Sequence, residues 1–98
     1  MNNATPLFEL EAMNNNFRIF PNPSENDAVV YFTTETNANV YLKVFDVLGK
    51  EVFTNNFGDL NAGNHNIILN KDNLNSSGIY FVQLSVNDLV LSKKFILK

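Results

Sequence analysis

The chain contains no cysteine and no tryptophan, and its single histidine is His65. Without cysteine, a disulfide scaffold, a thiol nucleophile and a cysteine-ligated zinc site are all excluded. A lone imidazole also excludes any site that needs a pair of histidines. No apolar run approaches the roughly 20 residues that a membrane-spanning helix requires. These absences remove disulfide-rich folds, thiol enzymes and helical membrane proteins from consideration.

Charge is sparse as well, with 17% charged residues in 98 and a formal net charge of −3. Seven lysines and arginines do not make the dense basic surface that nucleic-acid binding needs, so we expect no nucleic-acid partner. The length suits one domain. Residues 1–16 lack the basic start and apolar segment of a signal peptide. We therefore expect either a cytoplasmic protein or a piece of a longer secreted one.

Seven short segments rich in β-branched and aromatic residues predict β-strands, because most of them alternate between apolar and polar positions. The segments are 17–20, 28–34, 40–45, 50–55, 63–69, 79–86 and 89–97. A 3₁₀-like turn is expected at 72–77, with Leu74 pointing inward, and a two-residue turn at Asn87-Asp88. No segment predicts an α-helix. The pattern predicts an all-β fold, a seven-stranded immunoglobulin-like antiparallel β-sandwich.

The sequence offers no catalytic arrangement. His65 lies in or beside a strand between two asparagines, and no G-x-S-x-G elbow occurs, so we expect a surface or edge histidine. Aspartates and glutamates fall in turns or on polar strand faces, which does not match the paired carboxylates of a glycosidase cleft. We expect no enzyme, no cofactor and no catalytic or metal-ligating residue.

Two binding interpretations stay open. Oxygen-bearing side chains cluster at 25–27 and at 70–75, although the second cluster lacks the spacing of a calcium loop. The aromatic residues whose side is undetermined could form a carbohydrate platform or pack inside; they are Tyr41, Phe45, Phe53 and Phe57. The alternative function is therefore a small carbohydrate- or calcium-binding module appended to a secreted enzyme.

Short motifs occur in an order that is more specific than any one of them. The residues that form them are Pro21, Asn22, Pro23, Asp46, Gly49, Gly63, Gly78, Tyr80, Lys93, Lys94 and Lys98. Each has a purely structural interpretation: prolines end a strand, Asp46 and Gly49 build a hairpin turn, and lysines protect an edge strand from aggregation.

In this order the motifs resemble the type A C-terminal sorting domain of the type IX (Por) secretion system of Bacteroidota. The resemblance covers residues 17–98, with Phe20 where the family usually has tyrosine. It implies an immunoglobulin-like sandwich at the C-terminus of a covalently linked, larger passenger. On this basis residues 17–98 are the sorting domain, and residues 1–16 are the linker from the passenger, where cleavage is expected.

The resemblance implies a non-catalytic secretion signal that directs the passenger through the periplasm and across the outer membrane. A sortase-like peptidase then removes the domain, and the passenger is secreted or held at the cell surface. The implied partners are the outer-membrane translocon and shuttle components. Contact through an exposed edge strand is one expected mode, and whether the domain forms an edge-strand dimer stays open.

Overall fold

A computed structural model describes residues 16–74 and 76–98, and in this part of the chain it contains seven strands, one 3₁₀ turn and no α-helix. The predicted linker at 1–16 therefore lies, apart from Asn16, outside the described residues. No described helix is long and apolar enough to cross a membrane. The strands are β1 (Phe17–Phe20), β2 (Ala28–Thr34), β3 (Ala38–Asp46), β4 (Glu51–Leu60), β5 (Gly63–Leu69), β6 (Gly78–Val86) and β7 (Leu89–Leu97).

The strands form a three-stranded sheet in the order β1-β2-β5 and a four-stranded sheet in the order β4-β3-β6-β7. All paired strands are antiparallel. The predicted all-β sandwich of seven antiparallel strands is confirmed. Successive side chains of a strand point to opposite faces, so alternate residues of both sheets meet in one core. The largest fully buried side chains are Phe17, Phe32, Phe95, Leu42, Leu69 and Leu84.

The strand registers define two ends of the sandwich. At one end Asp46 pairs with Tyr80, and Gly78 pairs with Leu97, which Ser24 also bridges. We call this the proline end, because the Pro21–Pro23 segment lies there. At the opposite end Thr34 pairs with Gly63, Ala38 with Leu60 and Val86 with Leu89. The distinction matters because most motif residues lie at one of the two ends.

The predicted turns are present. A hairpin joins β3 to β4, and Gly49 in its loop has φ +85°, a conformation that L side chains rarely adopt. The 3₁₀ turn is shorter than expected, Lys71–Asn73, and Leu74 after it is buried as predicted. Asn87 in the β6–β7 turn has φ +53°.

Strand β4 runs five residues beyond its predicted end at Asn55, and two β-bulges disturb its pairing with β3. A bulge adds a residue to one strand and so interrupts the alternation that a sequence pattern detects. The structure places the undetermined aromatic residues: Phe53 and Phe57 pack against the core, whereas Tyr41 and Phe45 alternate with buried residues of β3 and stay half-buried on the outer face.

The proline end as candidate functional site

The side chain of Asn22 binds the outer edge of β7 as a neighbouring strand would. Its Nδ2 donates to the carbonyl oxygen of Lys94 at 2.8 Å, and its Oδ1 accepts from the backbone N–H of Ile96 at 3.0 Å. One side-chain amide thus satisfies a backbone acceptor and a backbone donor of an edge strand. The Phe20–Pro21 and Asn22–Pro23 peptide bonds are both cis.

Ser24 continues this pairing with its own backbone. Its N–H donates to the carbonyl of Ile96 at 2.9 Å, and its carbonyl accepts from the N–H of Lys98 at 2.8 Å. The Ser24 side chain is buried, and its Oγ bonds to the backbone of Asn26 and Asp27 at 3.0–3.2 Å. Residues 22–24 therefore cover the edge of β7 from Lys94 to Lys98. A second strand could pair with this half of β7 only by displacing them.

The turn after β3 is built around Asp46. Its Oδ1 accepts from the backbone N–H groups of Leu48 and Lys50, each at 2.9 Å. Asp46 therefore builds the hairpin turn that its position predicted, through backbone N–H groups two and four residues on. The turn is held from inside, so Val47 and Leu48 are left 66% and 90% exposed.

Tyr80 is buried, with its hydroxyl against the backbone of Ser76. That hydroxyl donates to the Ser76 carbonyl and accepts from the Ser76 N–H at 3.2 Å. Both bonds fix the loop that enters β6 at Gly78. Tyr80 therefore links the core to a loop at the proline end.

Replacing Tyr80 by phenylalanine should lower the free energy of unfolding by about 1 kcal/mol, because the N–H and the carbonyl of Ser76 lose their bonds to the buried hydroxyl. Urea unfolding followed by circular dichroism measures this loss. Tyr31→Phe is the matched control, since the bonds of the Tyr31 hydroxyl within the described part of the chain go to the side chains of Thr33 and Asn64 and not to a loop backbone. An equal loss in both variants would contradict the role of Tyr80 in fixing this loop.

The three motif lysines do not form one cluster. Lys93 lies on the inner side of β7, with its Nζ 5.8 Å from the centre of the Phe17 ring. Lys94 lies on the outer face, and Lys98 lies beside the loop at 21–27. The structure brings Pro21–Pro23, Asp46, Gly49, Gly78, Tyr80, Lys94 and Lys98 to the proline end. Gly63 is at the opposite end.

The oxygen-rich clusters already have protein partners. Asp27 Oδ1 accepts from the backbone N–H of Lys71 at 3.1 Å, and Asn26 Oδ1 lies 3.4 Å from Lys71 Nζ. In the second cluster Asn73 Oδ1 accepts from the N–H of Asn70 at 3.1 Å. Among the residues described, no group of three or more acidic, histidine or cysteine side chains could hold a metal ion. These oxygens cap turns and join loops.

His65 lies on the edge strand β5, as expected. Its ring packs beside that of Phe32 with 5.1 Å between centroids, and its Nε2 is 2.9 Å from the carbonyl oxygen of Asn61. Both contacts are structural. Ser24 is the residue at this end that the sequence reasoning missed, because nothing in a lone serine after a proline signals pairing with a strand 72 residues away.

A family model described as "Secretion system C-terminal sorting domain" matches residues 18–98 of the chain. The match covers β1 from its second residue to the end of β7. No curated protein matches the chain.

Proposed function

The chain belongs to the family of type IX secretion system C-terminal sorting domains, and from that membership we propose that its proline end is the part of the signal that the secretion machinery recognises. A type IX sorting signal implies export across the outer membrane and interaction with that machinery. The family is non-catalytic in general. The proposed function is therefore to direct export, and the folded surface of the domain is what the secretion machinery recognises.

The observation that supports this assignment is the joining of the first and last motifs. Asn22 of the first motif bonds to the backbone of Lys94 and Ile96 at 2.8 and 3.0 Å. Motif residues that are scattered in sequence therefore contribute to one surface, which a partner can recognise as a unit.

In the full proposal, residues 17–98 form the sorting domain and follow a larger N-terminal passenger in a Bacteroidota protein. Translocon and shuttle components of the outer membrane bind the domain. A sortase-like peptidase then cleaves within residues 1–16 and leaves the passenger secreted or at the cell surface. The carbohydrate-binding alternative is not carried forward, because Phe53 and Phe57, two of its four candidate aromatic residues, pack against the core.

The direct test fuses the full chain to the C-terminus of a periplasmic reporter in a host that has a type IX system. We expect the reporter outside the cell, in the medium or on the surface. In a strain that lacks a translocon component the reporter should stay in the periplasm. Export that is equal in both strains, or absent from both, would contradict the proposed function.

A second prediction concerns the lysines at this end. Lys94→Glu and Lys98→Glu together should reduce export, because they reverse two exposed charges without removing buried side chains. Reporter outside the cell is measured against Arg18→Glu, which reverses an exposed charge on β1 of the other sheet. Undiminished export of the Lys94/Lys98 variant would show that these cations are not recognised.

A further inference from the structure

Four large apolar side chains lie together on the outer face of the four-stranded sheet. Phe45 on β3 pairs with Phe81 on β6, and Ile79 on β6 pairs with Ile96 on β7. Ile79 and Phe81 are 42% and 40% exposed, and Phe45 and Ile96 are half-buried. We call these four residues the apolar patch. Single exposed apolar residues are ordinary, whereas adjacent ones on a sheet face indicate an interaction site.

The apolar patch lies at the proline end. The pairs that form it are next to Asp46–Tyr80 and Gly78–Leu97, which are the last pairs of their strands. Val47 and Leu48 in the adjacent turn extend the exposed apolar surface beyond the sheet. Val90, near the opposite end of the same face, is 49% exposed and isolated from the patch.

The positively charged side chains are also concentrated towards the proline end of the sandwich. The half of the sandwich at the opposite end, residues 32–42, 55–65 and 84–91, contains Glu35, Asp59 and Asp88 and no lysine or arginine. The described remainder contains all seven lysines and arginines and five acidic residues, for a net charge of +2. A partner that approaches the proline end therefore meets the positive half of the domain.

Two lysines border the apolar patch, and Glu51 lies across from Phe45 in the β3–β4 pairing. Lys94 lies directly across from Phe81 in the β6–β7 pairing, and Lys43 lies two residues before Phe45 on the same face. Lys43 Nζ is 3.6 Å from Glu51 Oε1, and both side chains are more than one third exposed. Because a surface ion pair of this kind contributes little, Lys43 can exchange Glu51 for a carboxylate of a partner.

We propose that the apolar patch and its two lysines are the docking surface for a protein of the secretion machinery whose own surface has an apolar centre and a rim of carboxylates. This inference rests on the proposed function and names the face of the domain that performs it. Burial of the apolar centre supplies affinity, and the lysines orient the encounter.

The charge pattern favours a protein partner over a lipid surface or a second copy of this chain. Lipid recognition uses clusters of several uninterrupted basic residues, whereas five carboxylates are interspersed in this half. A two-fold pairing of the patch with a second copy would bring together two surfaces of the same net sign. An apolar surface with an acidic rim meets neither obstacle.

The test replaces Ile79 and Phe81 by threonine in the full chain fused to a periplasmic reporter. Threonine is β-branched, a shape that strands favour, and it removes most of the apolar surface. Because both side chains are well exposed, the melting temperature of the purified chain should change by only a few degrees. The matched control is Val90→Thr with Ile68→Thr, two exposed positions outside the patch.

We expect export of the Ile79/Phe81 variant to fall about tenfold or more, the loss typical of central interface residues. The control should be exported like the natural chain. If the natural chain is exported and the Ile79/Phe81 variant is exported equally, the inference fails while the proposed function stands. If the natural chain is not exported, the proposed function itself fails.

Two measurements on the purified natural chain test whether the apolar patch binds a lipid surface or a second copy of the chain. Flotation with vesicles that contain anionic phospholipid should leave the chain unbound, and sedimentation at micromolar concentration should give a monomer. Binding to the vesicles, or a dimer, that is lost in the Ile79/Phe81 variant would overturn the proposal in favour of a lipid surface or a second copy.

Discussion

Replacing Phe17 by alanine is expected to lower the free energy of unfolding by about 3–5 kcal/mol, because the Phe17 ring is fully buried and its removal leaves a cavity. The variant also loses the contact of that ring with Lys93. For a chain of this size such a loss should lower the melting temperature by about 20 °C. Thermal unfolding followed by circular dichroism measures the change.

Phe20→Ala is the matched control for this prediction, since Phe20 lies on the same strand and is 47% exposed. We expect its unfolding free energy to fall by less than about 1 kcal/mol. A chain that begins at residue 17 should unfold like the full chain, because the proposed domain begins at Phe17. A loss of unfolding free energy at Phe17 as small as the loss at Phe20 would contradict this prediction and would place the start of the domain closer to β2.

Replacing Asn22 by aspartate is expected to have the second largest effect on stability, about 1–2 kcal/mol at neutral pH. The carboxylate has the shape of the amide, and it can still accept the Ile96 N–H. It cannot donate to the carbonyl of Lys94, and two acceptors then face each other where a 2.8 Å hydrogen bond stood. Urea unfolding at pH 7 measures the loss.

The deficit of Asn22→Asp should shrink at low pH. A protonated carboxyl can donate to the Lys94 carbonyl, so the folded state favours the protonated form and raises the pKa of the introduced group. That contribution to stability is fully present below the unfolded pKa of about 3.9 and is lost as the pH rises through the folded pKa. Asn26→Asp serves as the control, and the same pH-dependent recovery in both would contradict this role for Asn22.

The strand positions were predictable from sequence where one face of a strand is buried and the other is not. In β3, Val40, Leu42 and Val44 are buried while the intervening residues are more exposed, so period two is visible. In β4 the bulges break the alternation, and the sequence pattern ended the strand five residues early. Alternation of apolar and polar residues reveals a strand whose pairing is regular. Where bulges interrupt the pairing, the alternation reveals only part of the strand.

The role of Asn22 could not be derived from the sequence by physical reasoning. A Pro-Asn-Pro segment predicts a strand end through the missing N–H groups and the restricted backbone. That the amide of Asn22 bonds to β7 depends on the packing of the two sheets, which brings residues 72 and 74 positions apart into contact. Alternation in β6 already separates Ile79 and Phe81 from the buried Tyr80 and Val82. The patch was still hidden, because strand register decides that Phe45 and Ile96 lie beside them.

Because the Pro-Asn-Pro segment bonds to β7, the edge of the sandwich closes only when nearly all of the domain has been synthesised. The acceptor and donor that Asn22 needs belong to residues 94 and 96, so synthesis must have passed almost the whole domain before they exist. A chain that stops before Lys94 has neither the partners that Asn22 needs nor the Phe95 side chain that fills the core. Under the proposed function, a passenger that carries such a truncated domain should not be exported.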